Sequence, residues 1–66
     1  MRIIANGKPV ELPEKLSLRQ LLHHLKISVA TAVIQHNGQI VLRESWSYTV
    51  LQEGDNVEVL QFLGGG

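Results

Sequence analysis

Few residues of this chain could do chemistry: three histidines, six acidic residues, and a glycine run, Gly64-Gly65-Gly66, that follows Phe62 and Leu63. No cysteine is present. The chain therefore has neither a sulfur nucleophile of its own nor a thiolate ligand for zinc, and no disulfide supplements its core. His23 and His24 are neighbours in sequence, which on a helix sets them about 100° apart. They cannot converge on one ion as an i, i+4 pair does, so both read as part of a solvated helix face. His36 reads as a strand-end residue before a turn, and no metal site is assigned. Glu11, Glu14, Glu44, Glu53, Asp55 and Glu58 show no acid–base spacing, and so thin a domain is expected to hold no pocket.

The carboxylate at the end of the glycine run is the remaining candidate. Glycine has no Cβ and loses the most conformational freedom on ordering, so residues 64–66 read as a flexible tail behind a domain of residues 1–63. An α-carboxyl titrates near about 3.5. At neutral pH it is an anion and a poor electrophile, and acyl chemistry there requires that one oxygen first be made part of a leaving group. Two readings stand side by side at this level. The glycines are a frayed end, as termini commonly are, or they are an arm that carries the carboxylate into a partner.

Composition narrows the classes. At 66 residues there is room for one domain, which buries about 60% of its unfolded surface and carries a stability of roughly 3–10 kcal/mol. A hydrophobic fraction of 44% argues against disorder. Six basic residues balance six acidic ones without a run of either sign, which disfavours nucleic-acid binding, where phosphate contacts demand a basic excess. No apolar stretch approaches the ~20 residues that span a bilayer. The opening "MRIIANGKPV" lacks the apolar core of a signal peptide, so a soluble, cytoplasmic protein with no membrane partner is expected.

The elements that must position the tail are readable in turn. Asn6-Gly7 and Asn37-Gly38 each lie between apolar runs and suit the type I′ turn of a two-residue hairpin, which needs positive φ at both positions. Pro9 lacks a backbone donor and places its strand at a sheet edge. Ser17 with Gln20 forms a capping box, and Leu16 with Leu21 a hydrophobic staple. Leu18, Leu21, Leu22 and Leu25 make one apolar stripe, which predicts a helix from Leu18 to about Lys26. The segment around Trp46 reads as irregular with a short helical turn, and "VEVLQFL" as a last strand. The order is β-β-α-β-β-β: one main helix over one face of a mixed sheet of four to five strands, an α+β roll. The last strand is expected in the middle of the sheet, parallel to the first. This is the order of the β-grasp, or ubiquitin-like, fold.

The whole chain resembles the ThiS family of thiamine-biosynthesis sulfur carriers. The resemblance rests on "RIIANGKPVEL", "LSLRQLLHHL", "NGQIVLRESW" and "LQEGDNVEVLQFLGGG". Leu42 stands where the family usually has proline, which leaves the shape of that loop open. The resemblance implies a protein substrate rather than an enzyme, with no bound cofactor. A ThiF-like adenylyltransferase would use ATP to convert the Gly66 carboxylate into an acyl-adenylate. A donor such as a cysteine desulfurase would supply sulfur for a thiocarboxylate, and a ThiG-like thiazole synthase would take it into the thiazole ring. The three glycines reach about 10 Å at ~3.3–3.6 Å per residue, and Gly64 and Gly65, without side chains, can thread a narrow channel.

Other readings stay open on the residues alone. Sulfur carriers of molybdopterin synthesis or tRNA thiolation share this kind of end, and a ubiquitin-like binding module with an inert tail belongs to another class. If Val57 and Val59 face the helix, Leu60 and Phe62 fall on the open face of the sheet. With Ile4 on the neighbouring strand they form a candidate partner interface, since a contiguous exposed apolar patch marks one.

Overall fold

A computed structural model describes residues 1–62. Five strands and one α-helix follow one another as β1 (Arg2–Ala5), β2 (Lys8–Glu11), α1 (Leu18–His24), β3 (Ala32–His36), β4 (Gln39–Val41) and β5 (Asn56–Gln61). Short 3-10 turns cover Val29–Thr31 and Arg43–Ser45. The strands form one sheet in the order β2-β1-β5-β3-β4, so the last strand lies at the centre. It runs parallel to β1 and antiparallel to β3, as the sequence leads one to expect.

Both hairpins close on their Asn-Gly pairs. Asn6 and Asn37 have φ of 50°, and Gly7 and Gly38 have 81° and 86°, the backbone of a type I′ turn. The register follows from the two-residue loop, with Ala5 opposite Lys8 and His36 opposite Gln39. Pro9 lies opposite Ile4 on the outer strand. Met1 and Leu12 bond in the same ladder, and alternation from that pair makes Ile4–Pro9 a non-hydrogen-bonded position. The donor that proline lacks would have faced solvent.

The helix begins as its capping box dictates. The Gln20 N–H donates to Ser17 Oγ at 3.1 Å, and the Ser17 N–H donates to Gln20 Oε1 at 2.9 Å. It ends sooner than the leucine spacing suggests, at His24 rather than Lys26, with Leu25 as its cap. The reason is the backbone of Lys26, which turns left-handed at φ 59°. The Lys26 N–H then bonds His23 O at 3.1 Å and the Ile27 N–H bonds Leu22 O at 2.8 Å. These are the two bonds of a Schellman motif. Sequence reasoning looks for glycine at such a stop, and here a lysine occupies it.

Leu18, Leu21 and Leu22 are fully buried and meet Ile3, Ile34, Leu51 and Val57 in one core. Trp46 is buried at the end of the second 3-10 turn, and its Nε1–H donates to Val41 O at 2.9 Å. The Arg43 guanidinium lies over the Trp46 ring, 5.6 Å from its centre.

Leu42 resolves the question of its loop. Its φ of −65° and ψ of 147° are values a proline adopts. The preceding residue, Val41, is in a strand, which suits a residue before proline. The Leu42 N–H donates to no group among the described residues. Leu42→Pro is therefore expected to raise stability by about 0.4–1 kcal/mol through the entropy of the unfolded chain. Urea unfolding of the two proteins side by side measures it, and a loss of stability would show that the N–H has a partner in solution.

Candidate functional site

The glycine tail, residues 64–66, lies outside the described residues, as does Leu63. What the structure places is the strand that leads to them. Along β5 the side chains alternate: Val57 and Val59 are buried beneath the helix, while Leu60 and Phe62 are 53% and 60% exposed on the other face. An apolar side chain on a solvated sheet face is common, and a pair of them two residues apart is a surface feature.

The register decides which neighbours join them. Leu60 lies opposite Val33, and Gln35 lies between Glu58 on one side and Ile40 on the other. Paired residues share a face, so half-buried Val33 and exposed Ile40 belong to the same open face as Leu60 and Phe62. Ile4 does not come close to them. It pairs with Asn56, four residues before Leu60 and about 13 Å away along the strand, with Glu58 between them on that face. The expected trio is thus two residues plus a distant third. Val33 and Ile40 were missed, although the hairpin register made Gln35–Ile40 legible. The pairing of β3 with β5 was not legible.

The asparagines of the two turns have a second task that turn chemistry alone does not reveal. Asn6 Oδ1 accepts the Val59 N–H at 2.7 Å, and Asn37 Oδ1 accepts the Asn56 N–H at 2.8 Å. The central strand is thereby held from both sides by side chains of the hairpin turns.

His36 is held by a carboxylate just before the start of the neighbouring strand. It ends β3, and its Nε2 lies 2.7 Å from Asp55 Oδ2. Asp55 also accepts the Gln52 N–H at 2.8 Å and Asn37 Nδ2–H at 3.2 Å. Burial by itself raises the Asp55 pKa. The hydrogen bonds from His36, Gln52 and Asn37 and the charge of His36 outweigh it, and the carboxyl is held below its ordinary value of 3.8. The cluster fastens the start of β5, about 20 Å along the strand from Phe62.

A folded pKa below the unfolded one contributes stability that is present above about pH 4 and is lost as pH falls through the folded value. Asp55→Asn is expected to cost about 1–2 kcal/mol at neutral pH. The gap should close on acidification below about pH 4. Urea titrations at pH 7 and pH 3 check this, and an equal gap at both would show that the charge of Asp55 contributes nothing.

His23 and His24 are exposed on α1. Among the described residues no group of three or more potential ligands could hold a metal, and no helix is long and apolar enough to cross a membrane. One groove of about 430 Å³ exists where none was expected, lined by Lys15, Ser17, Arg19, Gln20, His23, Ser47 and Val50. It gathers no carboxylate, so none of the six acidic residues works there, and it lies on the helix side away from the open face.

Residues 2–66 match the ThiS family. The chain is 32% identical over 66 residues to the sulfur carrier protein ThiS of Escherichia coli strain K12, covering all of both chains. It is 35% identical to a thiazole synthase of Magnetococcus marinus and 26% identical to one of Paramagnetospirillum magneticum. It spans only a fifth of the length of those two proteins, 20% of each. A crystal structure of the thiamine biosynthesis protein ThiS from Geobacter metallireducens superposes with a TM-score of 0.87 at 36% identity, with both chains covered completely. The mixed five-stranded sheet with one helix is the β-grasp of that structure. From the opening hairpin to the glycine run, the chain belongs to the ThiS family.

Proposed function

We propose that the chain is a sulfur carrier for thiazole formation in thiamine biosynthesis, and that the Gly66 α-carboxylate is its working group. In this reading a ThiF-like adenylyltransferase binds ATP, which the carrier itself does not. A Gly66 oxygen attacks the α-phosphate, pyrophosphate leaves, and an acyl-adenylate forms. The outer sulfur of a persulfide on a donor such as a cysteine desulfurase then displaces AMP. A thiol reductant cleaves the S–S bond of the resulting acyl disulfide, which frees the thiocarboxylate and returns the donor's thiol. A ThiG-like thiazole synthase receives the sulfur. Gly64 and Gly65 carry the carboxylate through a channel that admits main chain alone. The reading sets these ATP-dependent steps in the cytoplasm.

The observation that carries the proposal is the match of residues 2–66, glycine run included, to the ThiS family. The matches to thiazole synthases support the choice of acceptor, because in those proteins a segment like this chain belongs to the same polypeptide as the synthase. They favour thiazole formation over molybdopterin synthesis or tRNA thiolation, and no observation favours a binding module with an inert tail. The test is incubation with ATP, the ThiF-type enzyme of the same organism and a sulfur source, followed by intact mass. Exchange of one oxygen for sulfur at the C-terminus is the expected result, and an unchanged mass with active enzyme would reject the proposal.

Leu60 and Phe62 on the open face are proposed to meet that enzyme, with Ile4 at most at the margin of the contact. Because Phe62 is 60% exposed, Phe62→Ser is expected to leave the melting temperature nearly unchanged. A Phe at the centre of an interface contributes on the order of 2 kcal/mol, so binding to the activating enzyme should weaken correspondingly. Calorimetric titration measures the second effect. A large drop in melting temperature would assign Phe62 to the core instead.

A further inference from the structure

The hydrogen bonds of β5 leave a short backbone edge open immediately before the glycine run. Asn37 N–H bonds Asn56 O at 2.8 Å and Phe62 N–H bonds Thr31 O at 2.9 Å. In an antiparallel ladder bonded pairs alternate, so residues 56, 58, 60 and 62 address β3. Residues 57, 59 and 61 turn their N–H and C=O groups toward the β1 side. There the parallel ladder covers only Ile4–Asn56 and Ala5–Val57, because β1 has left for its turn. Asn6 continues the pairing by two bonds, from its N–H to Val57 O at 2.9 Å and from Val59 N–H to its Oδ1 at 2.7 Å. Beyond it the Val59 carbonyl and both main-chain groups of Gln61 have no partner among the described residues.

This edge differs from the two outer edges of the sheet. Sheet edges are commonly blunted by proline, charge or short length. The outer strand β2 carries Lys8, Pro9 and Glu11, and β4 has three residues. Val59-Leu60-Gln61 has no proline and no charge, and it is flanked on the open face by exposed Leu60 and Phe62.

We propose that this edge pairs with an extended strand of the enzyme that activates the carboxylate, which exchanges main-chain hydrogen bonds with Gln61. The inference rests on the reading of Gly66 as the activated group. A tail of glycines presents main chain only, so an enzyme must hold it through N–H and C=O groups. A pairing at Gln61 starts that contact on the rigid sheet, five residues before the carboxylate, within a reach of about 17 Å. Cross-strand neighbours interact on each face, so the incoming strand should place an apolar residue beside Leu60 or Phe62.

The test compares the chain with a synthetic version that is N-methylated at Gln61, which removes one donor and keeps every side chain. The lost N–H faces away from β3, so melting should be unchanged. Binding to the ThiF-type enzyme should weaken about tenfold or more, one net hydrogen bond. Gln61→Ala, which keeps the N–H, should bind within about twofold of the parent. Equal binding by the N-methylated chain would overturn the proposal. Hydrogen exchange of the unmodified chain gives a reading that does not depend on a variant. The Gln61 amide should exchange rapidly in the free protein and become protected in the complex. Continued rapid exchange in the complex would overturn the proposal, as would protection in the free chain that rises with its concentration, the mark of a second copy on the edge. Pyrophosphate exchange by the unmodified chain separates these outcomes from failure of the functional reading. Without that exchange the functional reading fails, and with it only the edge is at issue.

Discussion

Two residues appended after Gly66, or leucine in place of Gly65, are expected to leave folding untouched and to lower ATP–pyrophosphate exchange at least about a hundredfold. Among the described residues every buried apolar side chain lies between Ile3 and Val59. Changes at position 65 or beyond 66 should therefore alter stability by no more than about 0.5 kcal/mol. The chemistry has no such tolerance. On the proposed function, an appended residue would carry the carboxylate past the α-phosphate, and a side chain at position 65 would obstruct a channel sized for main chain. Displacement of a reacting group by about 1 Å is enough for a loss of that size. Exchange assays with the ThiF-type enzyme, run beside thermal melts of each protein, separate the two effects. Normal exchange by the extended chain would mean that the carboxylate of Gly66 is not the reactive group.

The second large effect is on stability. Leu21→Ala and Leu22→Ala are each expected to cost about 2–5 kcal/mol, since a deleted buried side chain loses its transfer free energy and leaves a cavity. Both residues are fully buried, in a domain whose total stability is roughly 3–10 kcal/mol. The melting temperature should fall by roughly 10 °C or more for a chain of this length. Leu25→Ala should cost less, because Leu25 is only partly buried against the core. Melts of the three variants check the ranking. If the first two melted like the parent, the leucine stripe would not be the face that meets the sheet.

The features legible in the sequence are those made by residues close along the chain. Asn-Gly requires positive φ at both positions and closes a two-residue turn wherever the strands lead. The Ser17–Gln20 box is an i, i+3 interaction that starts a helix on local geometry alone. Pro9 cannot donate, so its strand is at an edge. The alternation of Val57 and Val59 with Leu60 and Phe62 told which side chains would be exposed. The family was legible from motifs spread over the whole chain, although the position of the tail lies outside the described residues.

What only the tertiary structure decided depends on residues brought together from far apart. The helix stops at His24 because Lys26 adopts a left-handed backbone, for which the sequence offers lysine rather than the glycine that signals it. Ile4 is separated from Leu60 because the β1–β5 ladder starts at Asn56, and a register between strands 50 residues apart has no local determinant. Asn6 reaches Val59 across 53 residues and Asn37 reaches Asn56 across 19. Each asparagine announces a turn by its type, but the strand its carbonyl will meet is chosen by the sheet order. His36 and Asp55, 19 residues apart, become partners for the same reason. The open edge at Gln61 exists because β1 has four residues and β5 six, a mismatch that has meaning only once the two strands lie side by side.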